Sequence, residues 1–157
     1  MVSLTEHPTL NRNVCLAGQL HHGKTLFMDM LVGETHTIDW DLEKDYRYTD
    51  TRKDEQERGI SIKCTPMSLV LPDLRGKSHV VNIMDTPGHA NFTDEMTAGY
   101  RLADGAVIVI DAAEGVMAVT EAAIKEAVKV RLSHSAGGTG ACPFMCLCAR
   151  ICLAVDA

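Results

Sequence analysis

The sequence predicts an α/β fold with a mostly parallel sheet and one antiparallel hairpin. Three observations predict it. A glycine-rich turn, GQLHHGKT at 18–25, stands between a short apolar run and a helical pattern. A second run, Ala-Val-Ile-Val-Ile-Asp at 106–111, is apolar without alternation, as in a parallel strand buried on both faces. Strand-like and helix-like segments alternate along the chain, the pattern of a sheet covered by helices.

Each element follows in order. Asn13-Val14-Cys15-Leu16-Ala17 reads as a buried strand feeding Gly18. Lys24 to Val32 carries Leu26, Phe27, Met30 and Leu31, an i, i+3, i+4 spacing that suits a helix. Residues 34–59 are dense in charge and poor in apolar periodicity, which predicts a long mobile loop with a short helix. MSLVLPD and SHVVNIMD flank a turn containing Pro72 and Gly76, the signature of an antiparallel hairpin. Residues 89–102 and 117–131 read as helices, the second with Ala122, Ala123, Ala127 and a Glu121/Lys125 pair at i, i+4. No internal repeat is visible.

The chain has 157 residues, 46% hydrophobic and 23% charged, as expected for one soluble domain. Fifteen basic and twenty-one acidic side chains give a net charge of -6, which argues against broad nonspecific binding to nucleic acid. DNA is therefore not an expected partner. The opening MVSLTEHPTLNRN has neither a basic start nor a long apolar core, so no secretory signal is expected. The longest apolar candidate, 141–155, is short and contains Arg150, so no membrane span is expected. Of six cysteines, Cys15 and Cys64 read as small buried hydrophobes, while Cys142, Cys146, Cys148 and Cys152 crowd the end of the chain. Without a signal peptide, disulfides are not expected.

GQLHHGKT fits G-x-x-x-x-G-K-[ST], the Walker A phosphate-loop pattern. Glycines let the backbone curl so that its N–H groups face one concavity, which suits phosphate oxygens. Lys24 can reach the β- and γ-phosphates, the Thr25 hydroxyl can ligate Mg²⁺, and the helix start adds its positive end. The expected phosphate-binding residues of this loop are Gly18, His21, His22, Gly23, Lys24 and Thr25.

Residues 83–92 read Ile-Met-Asp-Thr-Pro-Gly-His-Ala-Asn-Phe. Asp85 ends an apolar strand, where the second Mg²⁺-holding carboxylate of a P-loop enzyme belongs. Gly88 can bring a backbone N–H to a γ-phosphate. His89 stands at a helix start, where it can orient an attacking water. Taken singly, Asp85 could cap a turn, Gly88 could merely permit one, and His89 could be a surface residue. Together with the phosphate loop they predict a nucleotide site at the C-terminal edge of the sheet.

Asp85-Thr86-Pro87-Gly88-His89 resembles the signature of translation-type GTPases, and Glu57-Arg58-Gly59-Ile60-Ser61-Ile62 resembles their switch I. The resemblance runs from about residue 3 to about residue 131. It implies a P-loop GTPase G domain, GTP/GDP and Mg²⁺ as ligands, a metal set of Thr25, Ser61 and Asp85, and His89 as the catalytic residue that positions water. Within the family, GQLHHGKT, ISIKCTPMSLVLPD, NIMDTPGHANFTDEMTAG and LADGAVIVIDAAEGVM resemble the elongation factor 2-like GTPase of the spliceosomal U5 small nuclear ribonucleoprotein, in its plant and algal forms. His22 is common to the wider family, and His21 points to the spliceosomal branch. That likeness implies a nuclear protein whose partners are spliceosomal proteins and U5 small nuclear RNA. The alternative is a ribosomal translocase of the elongation factor 2 type, in the cytoplasm.

The chain departs from the family in four places. Ser61 stands where the family usually has threonine, and Gln19 where the sub-family often has histidine. No Asn-Lys-x-Asp, the guanine-reading motif, occurs anywhere. The pattern breaks after Leu132, which divides the chain into a partial G domain at 1–132, incomplete at its C-terminal side, and an unrelated tail at 133–157. The tail reads as a truncated product or a misread gene boundary, either packed on the sheet edge or disordered. Its four thiols suffice in number for zinc but lack paired C-x₂-C spacing. A third reading of the chain is an inactive fragment without useful nucleotide binding.

Overall fold

The computed structural model describes residues 7–36, 47–72, 76–134, 144–148 and 152–155. In chain order the elements are β1 (Asn11–Gly18), α1 (Lys24–His36), α2 (Lys53–Arg58), β2 (Thr65–Pro72), β3 (Ser78–Asp85), α3 (Thr93–Leu102), β4 (Gly105–Ile110), α4 (Ala118–His134), β5 (Phe144–Cys148) and β6 (Cys152–Val155). Short 3₁₀ turns at Pro8–Leu10 and Ala90–Phe92 lead into β1 and α3.

All six strands form one sheet in the order β2-β3-β1-β4-β5-β6. The strands β3, β1, β4 and β5 run parallel to one another. The expected hairpin is β2–β3, in register from Thr65 opposite Asp85 to Pro72 opposite Ser78. Its two prolines, Pro66 and Pro72, fall on the edge strand, where a missing N–H costs no ladder bond on the open side. Parallel β1 and β3 end together, with Leu16 opposite Asp85, and this brings the two nucleotide-type loops to one edge.

The sheet continues past β4. Of the two readings of the tail, packed on the sheet edge or disordered, the strands fit the first: β5 lies along β4, from Ala106 opposite Phe144 to Ile110 opposite Cys148, and β6 returns antiparallel. The unpaired N–H and C=O groups of β4 have an apolar run from the tail as their partner. Cys146 and Cys148 fall in β5 and Cys152 in β6, opposite Leu147, while Cys142 lies outside the described residues.

Two hydrophobic layers sandwich the sheet. On one side Cys15, Ala17, Met84 and Ala106 pack with Met96 and Tyr100 of α3 and Ala123 and Ala127 of α4. On the other, Leu16, Leu69, Ile83 and Val109 pack with Met28 and Val32 of α1. Cys15, Leu16 and Ala17 are all fully buried, which explains why their run shows no alternation.

Helix α1 is longer than its pattern predicts and is rotated from it. Lys24, Met28, Asp29 and Val32 form its buried face, whereas Leu26 and Met30 are more than half exposed. The phosphate loop sets this rotation. Lys24 must face the cleft, and at 3.6 residues per turn positions four and eight further on then meet the sheet. The charged stretch 34–59 does contain one short helix, α2, closed by Gly59 in the left-handed conformation at φ 66. Residues 37–46 lie outside the described residues. Among the described residues no helix is long and apolar enough to cross a membrane.

Candidate functional site

The first loop joins β1 to α1. Gly18 has φ 147, and a Cβ there would run into the Val109 carbonyl oxygen, so only glycine lets β1 turn away beside β4. Gly23 has φ 86, and His21, although not glycine, also sits in the left-handed region at φ 61. A non-glycine residue held there costs on the order of 1 kcal/mol or more, and such strain clusters at binding loops. The curl is closed by His22 N–H donating to Gln19 O at 3.3 Å and Phe27 N–H to Gly23 O at 2.9 Å.

The second loop, Thr86–Gly88, is fastened to the first. Thr86 donates to Leu16 O through both its N–H, at 3.1 Å, and its hydroxyl, at 2.7 Å. Gly88 lies so close to the first loop that a Cβ would fall 2.7 Å from both Gln19 C and Leu20 N, and against Lys24 Nζ. A cleft of about 300 Å³ opens between the loops, lined by His21, Gly23, Lys24, Thr25, Gly88 and Ser61 among others. The structure therefore gathers six of the sequence-predicted residues in one place.

Its floor is a chain of oxygen atoms. Thr25 Oγ1 donates to Asp85 Oδ2 at 3.0 Å and lies 3.2 Å from Ser61 Oγ. Ser61 Oγ donates to Asp50 Oδ1 at 2.8 Å. Thr49 Oγ1 donates to the same Asp85 oxygen at 3.0 Å. The other oxygen, Asp85 Oδ1, is buried and has no hydrogen-bond partner among the described residues. Burial pushes Asp85 up to about 6, against the pull of Thr49, Lys24 and Thr25. The same burial pulls the Lys24 ammonium down to about 8, opposed by Asp85 and Asp50. Lys24 Nζ donates to Gln19 O at 2.7 Å.

These donors fit Mg²⁺. They are hard oxygens, and an orphaned carboxylate oxygen calls for a cation or its water shell. Among the described residues no group of three or more His, Cys, Asp or Glu could hold a metal by itself.

Switch-like residues 59–63 are shaped by one buried carboxylate. Glu55 Oε1 accepts N–H bonds from Ile62 at 2.8 Å and Lys63 at 2.9 Å, and Oε2 accepts from Arg52 N–H at 3.3 Å. This sets Ser61 toward Thr25. Lys63 also pairs with Glu95 of α3 at 2.6 Å.

Three expected residues lie elsewhere. Gly18 acts through the turn and does not line the cleft. His22 points away from the cleft; its ring is buried against the loop after β4, with Asp111 N–H donating to Nδ1 at 3.3 Å and Glu114 Oε2 3.1 Å from Nε2. His89 is half-buried outside the lining. Its Nδ1 accepts from Asn91 N–H at 3.2 Å and its ring tilts against Phe92 at 5.7 Å.

Sequence reasoning missed Asp29, Thr49, Asp50 and Glu55. Asp29 carried no local signal, because the apolar spacing of Leu26, Phe27, Met30 and Leu31 points to a different face from the buried one of Lys24, Met28, Asp29 and Val32. Its Oδ1 accepts Tyr48 N–H at 3.0 Å, which ties the segment before Thr49 to α1. Burial, with Asp50 adding to it, pushes Asp29 up to about 6. Its folded value thus lies above its unfolded one. Above pH 6 the folded state bears the cost of a buried charge; as pH falls through 6 toward 3.8 the folded state takes up the proton first and the cost fades. Asp29→Asn keeps the acceptor for Tyr48 and removes the charge. It is expected to raise stability at pH 7 by about 1–2 kcal/mol and to lose most of that advantage by pH 4. Urea unfolding of both chains across that range checks it; an equal difference at both ends contradicts it.

The sequence pattern of the Elongation factor Tu GTP binding domain matches residues 9–135. The 110 kDa U5 small nuclear ribonucleoprotein component CLO of Arabidopsis thaliana is 62% identical over 135 residues, which are 84% of this chain and 14% of that protein. The 109 kDa U5 small nuclear ribonucleoprotein component GFL of the same plant is 60% identical over the same shares. A solved structure from Thermus thermophilus superposes with a TM-score of 0.70 at 26% identity, covering 87% of this chain and 19% of that one. The chain therefore spans about one-seventh of the length of these curated relatives.

Proposed function

We propose, from the premise that this chain belongs to the Elongation factor Tu GTP binding domain family, that it binds GTP with Mg²⁺, hydrolyses it to GDP and phosphate, and acts as a conformational switch in a U5 ribonucleoprotein during pre-mRNA splicing. The observation that carries the reading is the apposition of the two loops, with Gly88 packed on Gln19 and Leu20 beside the Lys24 ammonium. Two plant relatives named as U5 components favour a spliceosomal setting over a ribosomal one. The same relatives support spliceosomal proteins and U5 small nuclear RNA as partners and the nucleus as the location.

Lys24 would exchange Gln19 O for the β- and γ-phosphates, and the backbone N–H groups of 21–25 would hold the remaining phosphate oxygens. Thr25, Ser61 and Asp85 would hold Mg²⁺. When bound, the ion neutralises phosphate charge and stabilises the leaving group. His89 would orient the attacking water, which requires its ring to leave Asn91 and Phe92 and turn toward Gly88. Closure of the stretch around 45–65 over the phosphates would be the switch. With no Asn-Lys-x-Asp in the chain, phosphate and metal contacts dominate affinity, and GTP and ATP are expected to bind within about tenfold of each other.

Calorimetric titration of the folded chain with each nucleotide and Mg²⁺ tests the reading. Binding of neither nucleotide would leave the chain as the inactive fragment. In single-turnover assays, His89→Ala is expected to keep the affinity and slow phosphate release about a hundredfold. An unchanged rate removes His89 from the reaction.

A further inference from the structure

We infer that His22 is a positioning residue, which braces the phosphate loop against the loop after β4 through Glu114. The histidine lies within the Walker pattern, yet its side chain is not in the cleft and is only 3% exposed. Both ring nitrogens are engaged across a separation of about ninety residues. Asp111 N–H donates to Nδ1, so Nδ1 carries no proton, and Nε2–H is the donor to Glu114 Oε2. This fixes the neutral tautomer. The receiving loop carries hydrogen bonds of its own. Ala113 N–H donates to Asp111 Oδ1 at 2.9 Å and Gly115 N–H to Asp111 O at 2.8 Å, with Gly115 at φ 73.

His22 is followed by Gly23 and preceded by the strained His21. A loop with left-handed residues at 21 and 23 needs an outside hold to keep its N–H groups convergent. The ring between them supplies it, anchored to the end of the neighbouring strand. Glu114 sets the ring's second contact from the solvent side, since its carboxylate is about half exposed.

The test is amide hydrogen exchange of the whole chain without nucleotide, in parent, Glu114→Ala and Glu114→Gln. The alanine variant spares the buried ring and so keeps the chain folded. Exchange at 19–23 is expected to quicken roughly threefold to tenfold in Glu114→Ala, the worth of one partly exposed hydrogen bond. Amides of β3 should keep parent rates, and Glu114→Gln, which retains an acceptor oxygen, should match the parent. Unchanged exchange at 19–23, a uniform rise across the domain, or a glutamine variant that behaves like alanine would each overturn the assignment. A second arm rests on the nucleotide reading: Mg²⁺–GTP affinity should fall by a similar factor in Glu114→Ala. If the parent binds no nucleotide, that reading fails by itself while the exchange data still decide the role of His22.

Discussion

Lys24→Ala is expected to abolish measurable Mg²⁺–nucleotide binding. Lys24 is 6% exposed and its ammonium sits between Gln19 O, Asp85 and Asp50 at the base of the cleft. Among the described lysines and arginines, Arg47 also lines the cleft, but it is paired with Asp50 at 3.7 Å. Charge-assisted bonds to phosphate are each worth about 1.5–3 kcal/mol, and Lys24 can make two, so affinity should drop roughly a hundredfold to a thousandfold or more. The substitution also removes the positive charge that holds Asp85 down, so the carboxyl becomes easier to protonate and poorer at holding a cation. Calorimetry of parent and variant measures this, with circular dichroism as the folding control. Equal dissociation constants would mean that the loop is not a phosphate site.

Gly88→Ala is expected to act through shape alone. Gly88 has an ordinary backbone, so no left-handed strain arises, but the new methyl would meet Gln19 C and Leu20 N at 2.7 Å. Both are main-chain atoms of the phosphate loop and cannot step aside as a flexible side chain would. Either the two loops part or the sheet edge distorts. Overpacking of this kind costs about 1–3 kcal/mol. In a domain of this size that lowers the melting temperature by roughly 3–10 °C. Parting the loops also separates Lys24 from the Asp85 side of the cleft, so nucleotide affinity should fall at least tenfold. A variant with the parent's melting temperature and affinity would show that the loops do not touch.

Much of the site was legible because its chemistry is local. Glycines at 18 and 23, Lys24 and Thr25 act within a single turn, and the strand before and helix after follow from apolar spacing. Asp85 and Gly88 were legible for the same reason, at the end of one apolar strand. What escaped was what distant residues do. Thr49 and Asp50 lie in a charged stretch without periodicity, and nothing in their neighbours says that one meets Asp85 and the other Ser61. The direction of His22 depends on Asp111 and Glu114, about ninety positions away. The tail runs at 144–148 and 152–155 are too short for periodicity to tell strand from loop.

The sequence by itself determined the element order through α4, the glycine-rich turn between β1 and α1, and the family, because each rests on neighbouring residues and backbone conformation. Only the tertiary structure decided which side chains share the cleft. Parallel pairing of β1 with β3 and β4 sets the loops side by side, the fixed rotation of α1 turns Asp29 inward and Leu26 outward, and long-range hydrogen bonds send His22 one way and Ser61 the other. Those outcomes depend on register and packing between segments far apart in the chain, and no local pattern encodes them.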